Sequence, residues 1–170
     1  MKNLQDSSAK ITRLIQITEE IIKDCALENG GIIAANSTKN YFPANAKNYF
    51  YVWPRDAAFT CLVADMMGMK ELQINFFRWC LSHAEGFNEK GLFYEKYYPN
   101  GLKALMNFQP DQTATVLMAA CSFCKNHPSE AKNPEMIELI TRAASGITDE
   151  WEDTNFKSVT NDLWEERLCF

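Results

Sequence analysis

The chain has 170 residues, 46% of them hydrophobic and 23% charged, with a formal net charge of −5 and a pI near 5.1. That length and balance predict one ordinary globular domain and exclude a disordered chain. The acidic balance excludes nucleic acid and anionic membrane as main partners, and with no continuous apolar leader or spanning stretch the chain reads as cytoplasmic.

Taken in chain order, the helical segments alternate between two kinds. Ile11, Leu14, Ile15, Thr18, Ile21, Ile22 and Cys25 mark a single apolar stripe, the pattern of a half-exposed helix. Ile32 to Ala35 and Tyr49 to Val52 then read as short strands around a turn region with Asn36-Ser37-Thr38 and Asn45. Ala57 to Met67 is apolar almost all round, broken by Thr60 and Asp65, as in a helix surrounded by others. Lys70 to Ala84 is striped again through Leu72, Phe76, Trp79 and Cys80. Gly91 to Tyr98 reads as a second hairpin before the turn Pro99-Asn100-Gly101. Thr113 to Cys124 is apolar all round, and Ile137, Ile140, Ala144, Ile147 and Trp151 return to a stripe.

The order is therefore outer, inner, outer, inner, outer, which is what a double-layered helical barrel requires. A simple four-helix bundle would make every helix amphipathic. Asp56, Asp111 and Asp162, spaced 55 and 51 residues apart, each announce an inner helix, close to one repeating helical hairpin. Aspartate at or near an N-cap suits the free amides and positive end of a helix. Trp53 and Gln109 each precede a proline, so both should be extended and project from loops at the inner helix starts, on one rim.

Six cysteines (Cys25, Cys61, Cys80, Cys121, Cys124, Cys169) lie mostly within apolar helical stretches, which suits free thiols in a reducing compartment. Cys121-Ser122-Phe123-Cys124 has the spacing of half a zinc site, but no second cysteine or histidine pair accompanies it, so core cysteine is the expectation. His83 and His127 fall near predicted helix ends, where solvated or capping roles are expected. No metal cluster is visible, and no cofactor is implied. Asn36-Ser37-Thr38 formally matches a glycosylation acceptor, which means little without a secretory signal.

Two strings carry chemistry. In Tyr49-Phe50-Tyr51-Val52-Trp53-Pro54-Arg55-Asp56, aromatic faces lie beside an Arg-Asp pair, and in Asn161-Asp162-Leu163-Trp164-Glu165-Glu166-Arg167 a tryptophan precedes two carboxylates. Sugars call for such residues, because pyranose C–H patches stack on aromatic faces while hydroxyls need bidentate donors and acceptors. Cleaving a glycosidic bond also needs a protonated carboxylic acid near the leaving oxygen. Taken singly, Arg55-Asp56 reads as a local ion pair with an N-cap, the aromatics as core, and Glu165-Glu166 as a charged first turn.

Together the strings resemble the glucoamylase family of glycoside hydrolases, family 15, over about Gly30 to Phe170. The resemblance implies an all-α fold, a partial (α/α)6 barrel of helical hairpins with short β-hairpins in rim loops. It implies that residues 1–170 form the amino-terminal half of the catalytic domain. Glu165 would be the catalytic acid of an inverting hydrolysis of terminal α-linked glucose, from maltooligosaccharide or starch-like glucan. Glu166 would contact substrate hydroxyls, since adjacent helix residues diverge by about 100 degrees and cannot both face one bond. Trp164, Tyr49 and Trp53 would bind sugar, and Arg55 and Asp56 would hydrogen-bond the glucose at the non-reducing end. Phe108, Gln109 and Asp111 are further rim candidates; relatives often carry an acidic residue where this chain has Gln112.

No residue here matches the family's general base, which lies in the second half of the barrel, so the chain alone is expected to be nearly inactive. Half a barrel would also expose an apolar edge and associate with a complementary chain or with itself. The alternatives are a trehalose- or dextran-cleaving member, a non-catalytic relative like the glucoamylase-like domains of phosphorylase kinase, or a decayed product that does not fold. An oligosaccharide substrate is the expected ligand in the leading reading.

Overall fold

The computed structural model describes residues 2–150, 160–161 and 168–169. Its helices are α1 (Lys2–Cys25), α2 (Pro54–Met66), α3 (Lys70–Ser82), the single turn α4 (Phe87–Lys90), α5 (Pro110–Asn126) and α6 (Pro134–Glu150), with a 3-10 turn at Glu130–Lys132. Among the described residues no helix is long and apolar enough to cross a membrane.

Proline sets two of the starts. Trp53 (φ −98, ψ 116) and Gln109 (φ −118, ψ 119) are extended because each precedes a proline, and Pro54 and Pro110 then occupy the first turn, where the missing N–H costs nothing. Helix α2 packs on α5, each carries its hairpin partner, α3 and α6 respectively, and these two outer helices also touch. Two helical hairpins, α2–α3 and α5–α6, thus pack side by side. The buried face of α2 is small, Ala57, Ala58, Cys61 and Ala64, which lets the inner helices approach closely. The bulk comes from α3, α5, α6 and the segment 87–97: Phe76, Phe77, Trp79, Phe87, Phe93, Tyr97, Phe123 and Leu139 are buried in one core.

Two apolar surfaces are more open than their patterns predict. Phe59, Val63 and Met66 lie on α2, which the sequence marks as surrounded, yet all three are exposed, Met66 to 88%. On α1, Ile22 and Cys25 are buried while Ile11, Leu14 and Ile15 stand in solvent. The stripe is real, but among the described residues only its last turns find a partner. Cys121, expected in the core, is exposed, and Cys124 is half-buried against the core.

The predicted strands are isolated bridges. Ala34 and Ala35 N–H donate to the carbonyls of Tyr51 and Tyr49, Val52 pairs with Tyr97, Tyr97 with Lys103, and Tyr94 with Phe108. These bonds tie the 49–53 and 94–108 loops together beside the starts of α2 and α5. Asn36 is half of that scaffold, its Nδ2 donating to Asp24 O at 2.7 Å and its Oδ1 accepting from Thr38, so its amide serves the turn. Two short strands, β1 (Thr160–Asn161) and β2 (Leu168–Cys169), pair antiparallel with Thr160 opposite Cys169. Leu168 and Cys169, where the repeat spacing predicts the start of a helix, have their main chain paired across this ladder instead.

At the opposite end of α2 the carboxylate of Asp65 gathers three donors: Gln73 Nε2 at 3.0 Å, Asn126 Nδ2 at 2.5 Å and His127 Nε2 at 2.7 Å. The clamp joins α2, α3 and the end of α5. Burial pushes the Asp65 carboxyl up, but the hydrogen bonds from Gln73, Asn126 and His127 outweigh it and hold the group below the ordinary aspartate value. His127 thus has a capping position at the end of α5, and His83 caps α3 with its ring against Ser82 Oγ.

Candidate functional site

The starts of α2 and α5 meet. Arg55 Nη1 lies 2.8 Å from Asp111 Oδ2 and 3.3 Å from Gln109 Oε1, and Arg55 Nη2 lies 3.5 Å from Asp56 Oδ2. The Arg55 side chain is mostly buried, whereas that of Asp56 is 49% exposed. The N-cap positions are Trp53 and Gln109, whose side chains make no cap hydrogen bond to their own helices. The cap on α2 comes from the other helix: Gln112 Oε1, fully buried, accepts the Arg55 backbone N–H at 2.7 Å, and Gln112 Nε2 donates to Gln109 Oε1 at 2.6 Å. One arginine and two glutamines thereby fix the two inner helix starts level with each other.

Beside this network stands an aromatic group. The Trp53 ring lies 5.8 Å from Tyr49 and 5.9 Å from Tyr51, and Tyr51 lies 5.5 Å from Tyr98. Lys96 Nζ sits 5.2 Å from the centroids of both Tyr51 and Trp53, within cation–π range. Tyr49 and Tyr98 are exposed and Trp53 and Tyr51 half-buried, so the group presents aromatic surface to solvent. Aromatic faces, an ammonium, a guanidinium and a half-exposed carboxylate share one rim, a set able to stack on a sugar ring and to bond its hydroxyls.

Of the residues chosen from the sequence, Tyr49, Trp53, Arg55 and Asp56 come together on this rim. Phe108, Gln109 and Asp111 lie at the neighbouring helix start, Gln109 and Phe108 buried and Asp111 bound to Arg55. Trp164, Glu165 and Glu166 lie outside the described residues. Sequence reasoning missed Lys96, Tyr51 and Tyr98 as rim groups, Gln112 as the cap, and Glu95, a glutamate only 1% exposed. The signal available was the string Tyr94-Glu95-Lys96-Tyr97-Tyr98, which repeats the mixture of aromatics and charge seen at 49–56. Among the described residues no cluster of side chains could hold a metal ion.

Over 141 residues, 83% of this chain, the sequence is 33% identical to an uncharacterized glycosyl hydrolase of Methanocaldococcus jannaschii. The chain is homologous to a glycosyl hydrolase. Its fold matches two solved variant forms of a glycosidase, one with glutamate changed to alanine and one with tyrosine changed to phenylalanine, each at a TM-score of 0.74. Those matches take in 94% of this chain at 16% and 17% identity, so they speak for the fold. The chain spans 21% of the length of the M. jannaschii glycosyl hydrolase and 45% and 44% of the two glycosidase chains. No protein-family model matches the chain.

Proposed function

We propose that this chain is the sugar-binding, acid-bearing half of a glucoamylase-like catalytic domain that removes terminal α-linked glucose from maltooligosaccharide or starch-like glucan with inversion. The observation that carries the reading is the rim itself, where Trp53 and Tyr49 stand beside the Arg55–Asp56 pair at the meeting of two inner helix starts. Trp53 and Tyr49 would wall the terminal glucose, and Arg55 and Asp56 would bond its hydroxyls. Because Asp111 and Gln109 already orient the guanidinium, little side-chain freedom would be lost on binding.

In the reaction, Glu165 protonates the glycosidic oxygen as the bond to the anomeric carbon breaks, and water attacks that carbon from the opposite face, giving up a proton to a general base. Trp164 and Glu166 complete the sugar contacts. The base has no counterpart among the residues of this chain, so binding should survive in the isolated chain while turnover falls by roughly 10²- to 10⁴-fold. A base supplied by another polypeptide or a longer chain would restore it.

Two assays test this. Calorimetric titration with maltotetraose should give binding that weakens about tenfold or more in Trp53→Ala, as expected for loss of a stacking face. Glucose release from maltotetraose and from trehalose, measured beside Glu165→Gln, separates the acid from background and identifies the linkage. A folded chain that binds neither sugar, or one whose affinity ignores Trp53→Ala, would sink the reading. Release that persists in Glu165→Gln would remove Glu165 from the acid role.

A further inference from the structure

The segments 49–53 and 94–98 cross as an antiparallel pair. Val52 and Tyr97 exchange both main-chain hydrogen bonds, at 2.9 and 2.8 Å, and both side chains are fully buried. Side chains alternate between the two faces of an extended chain, so the residues flanking that pair belong to the opposite face. Antiparallel pairing then sets Tyr98 against Tyr51 and Lys96 against Trp53 on a single outward face. The ring contacts agree with this. Tyr98 lies 5.5 Å from Tyr51, Tyr51 lies 5.9 Å from Trp53, and Lys96 Nζ is 5.2 Å from the centroids of both Tyr51 and Trp53.

The row of rings therefore starts at Trp53, the residue that opens onto Arg55 and Asp56, and continues through Tyr51 to Tyr98. Tyr98 is 46% exposed, yet its main chain is held on both sides. Its N–H donates to Leu102 O at 2.8 Å, its carbonyl accepts from Gly101 N–H at 2.9 Å, and the next carbonyl, of Pro99, accepts from Asn29 Nδ2 at 2.8 Å. A large ring left in solvent on a pinned turn adds little to the core and loses little freedom when a ligand covers it. Arg55 and Asp56 can address the hydroxyls of one sugar unit at a time, whereas the aromatic row extends past them. Aromatic faces stack on the C–H patches of a neutral pyranose without needing a second charged pair.

We propose that Tyr51 and Tyr98 form a second sugar platform, which takes a further unit of the neutral oligosaccharide whose terminal glucose sits against Trp53 and Tyr49. The inference rests on the sugar-binding reading of the rim and adds to it a residue, Tyr98, that distinguishes a longer chain from a single glucose. Continuity of the row with the rim is what commits the platform to the same ligand.

Calorimetric titration of the 170-residue protein with glucose and, separately, with maltotetraose tests the proposal. Tyr98→Ala should weaken maltotetraose by about 3- to 10-fold, the worth of one stacked face, and leave glucose unchanged. Tyr98→Phe, which keeps the ring, should bind both sugars as the parent does. The turn is held by main-chain bonds, so both variants should give the parent's circular dichroism. Trp53→Ala should weaken both sugars. A Tyr98→Ala protein that binds maltotetraose like the parent, while Trp53→Ala binds it weakly, overturns the platform and leaves the rim reading standing. An equal loss for glucose and maltotetraose in Tyr98→Ala also overturns it, because the tyrosine then acts through the shape of the rim. A loss in Tyr98→Phe as large as that in Tyr98→Ala overturns stacking as the contact. A folded parent that binds neither sugar removes the rim reading and the platform with it.

Discussion

Replacing Gln112 by leucine removes one side chain from between the two inner helices at nearly constant volume. The substitution takes the acceptor from the Arg55 backbone N–H, held at 2.7 Å, and the donor from Gln109 Oε1, held at 2.6 Å. Gln112 is fully buried, so water cannot replace the lost partners without opening the helix contact. Losing a helix cap costs about 0.5–2 kcal/mol. Leaving a buried polar atom short of a partner costs about 1–3 kcal/mol, reduced here because Gln109 Oε1 keeps Arg55 Nη1 at 3.3 Å. Better burial of leucine offsets part, and the net expectation is a loss of about 2–3 kcal/mol. For a chain of this size that is a fall in Tm of roughly 5–10 °C. Urea denaturation followed by circular dichroism measures it directly. A Gln112→Leu protein within about 0.5 kcal/mol of the parent would refute the view that this side chain, rather than the packing around it, holds the helix starts together.

The Asp65 clamp gives a pH dependence of defined sign. Its folded pKa lies below the unfolded value, so its stabilisation is present above the unfolded pKa of about 3.9 and is lost as pH falls through the folded value. Asp65→Asn should cost about 1–3 kcal/mol at pH 7, since an amide cannot accept from all three donors, and the difference from the parent should vanish in paired urea titrations as pH falls below about 4. A gap that persists undiminished in acid would mean the clamp does not act through its charge. Gly91 stands at φ 67, and a Cβ there would lie 2.2 Å from the Arg142 carbonyl oxygen on α6. Gly91→Ala should therefore destabilise by more than about 1 kcal/mol, well beyond an ordinary glycine-to-alanine change, and a neutral or stabilising result in thermal melts would contradict the close approach of the 91 loop to α6.

What the sequence made legible was what a residue and its neighbours decide alone. Prolines at 54 and 110 announced two helix starts and the extended residues before them. Exposure was not legible in the same way. Phe59, Val63 and Met66 carry the pattern of a surrounded helix, but burial depends on what lies alongside, and pattern alone cannot name it. The polar network escaped for a related reason. Gln112 looked like a departure from an acidic pattern, because its role as the cap of α2 exists only once α2 and α5 are packed side by side, 57 residues apart in sequence.

That packing changes how Arg55 should be understood. In the sequence it reads as half of an Arg-Asp pair with Asp56, yet the shorter contact is to Asp111 on the other helix, 2.8 Å against 3.5 Å. Asp111 and Gln109 on the second helix hold the guanidinium beside the half-exposed Asp56 carboxylate. A surface ion pair of two adjacent residues would contribute little and would reorient freely. Here the second helix fixes the arginine in advance, so the entropy of orienting it is met during folding rather than on binding a sugar. On the proposed reading Asp111 is a positioning residue, and its conservative replacement Asp111→Asn should loosen sugar binding chiefly through Arg55, with Trp53 left in place. Titration of both variants with maltotetraose checks it: a larger loss in Asp111→Asn than in Trp53→Ala would place Asp111 in direct contact with the sugar instead.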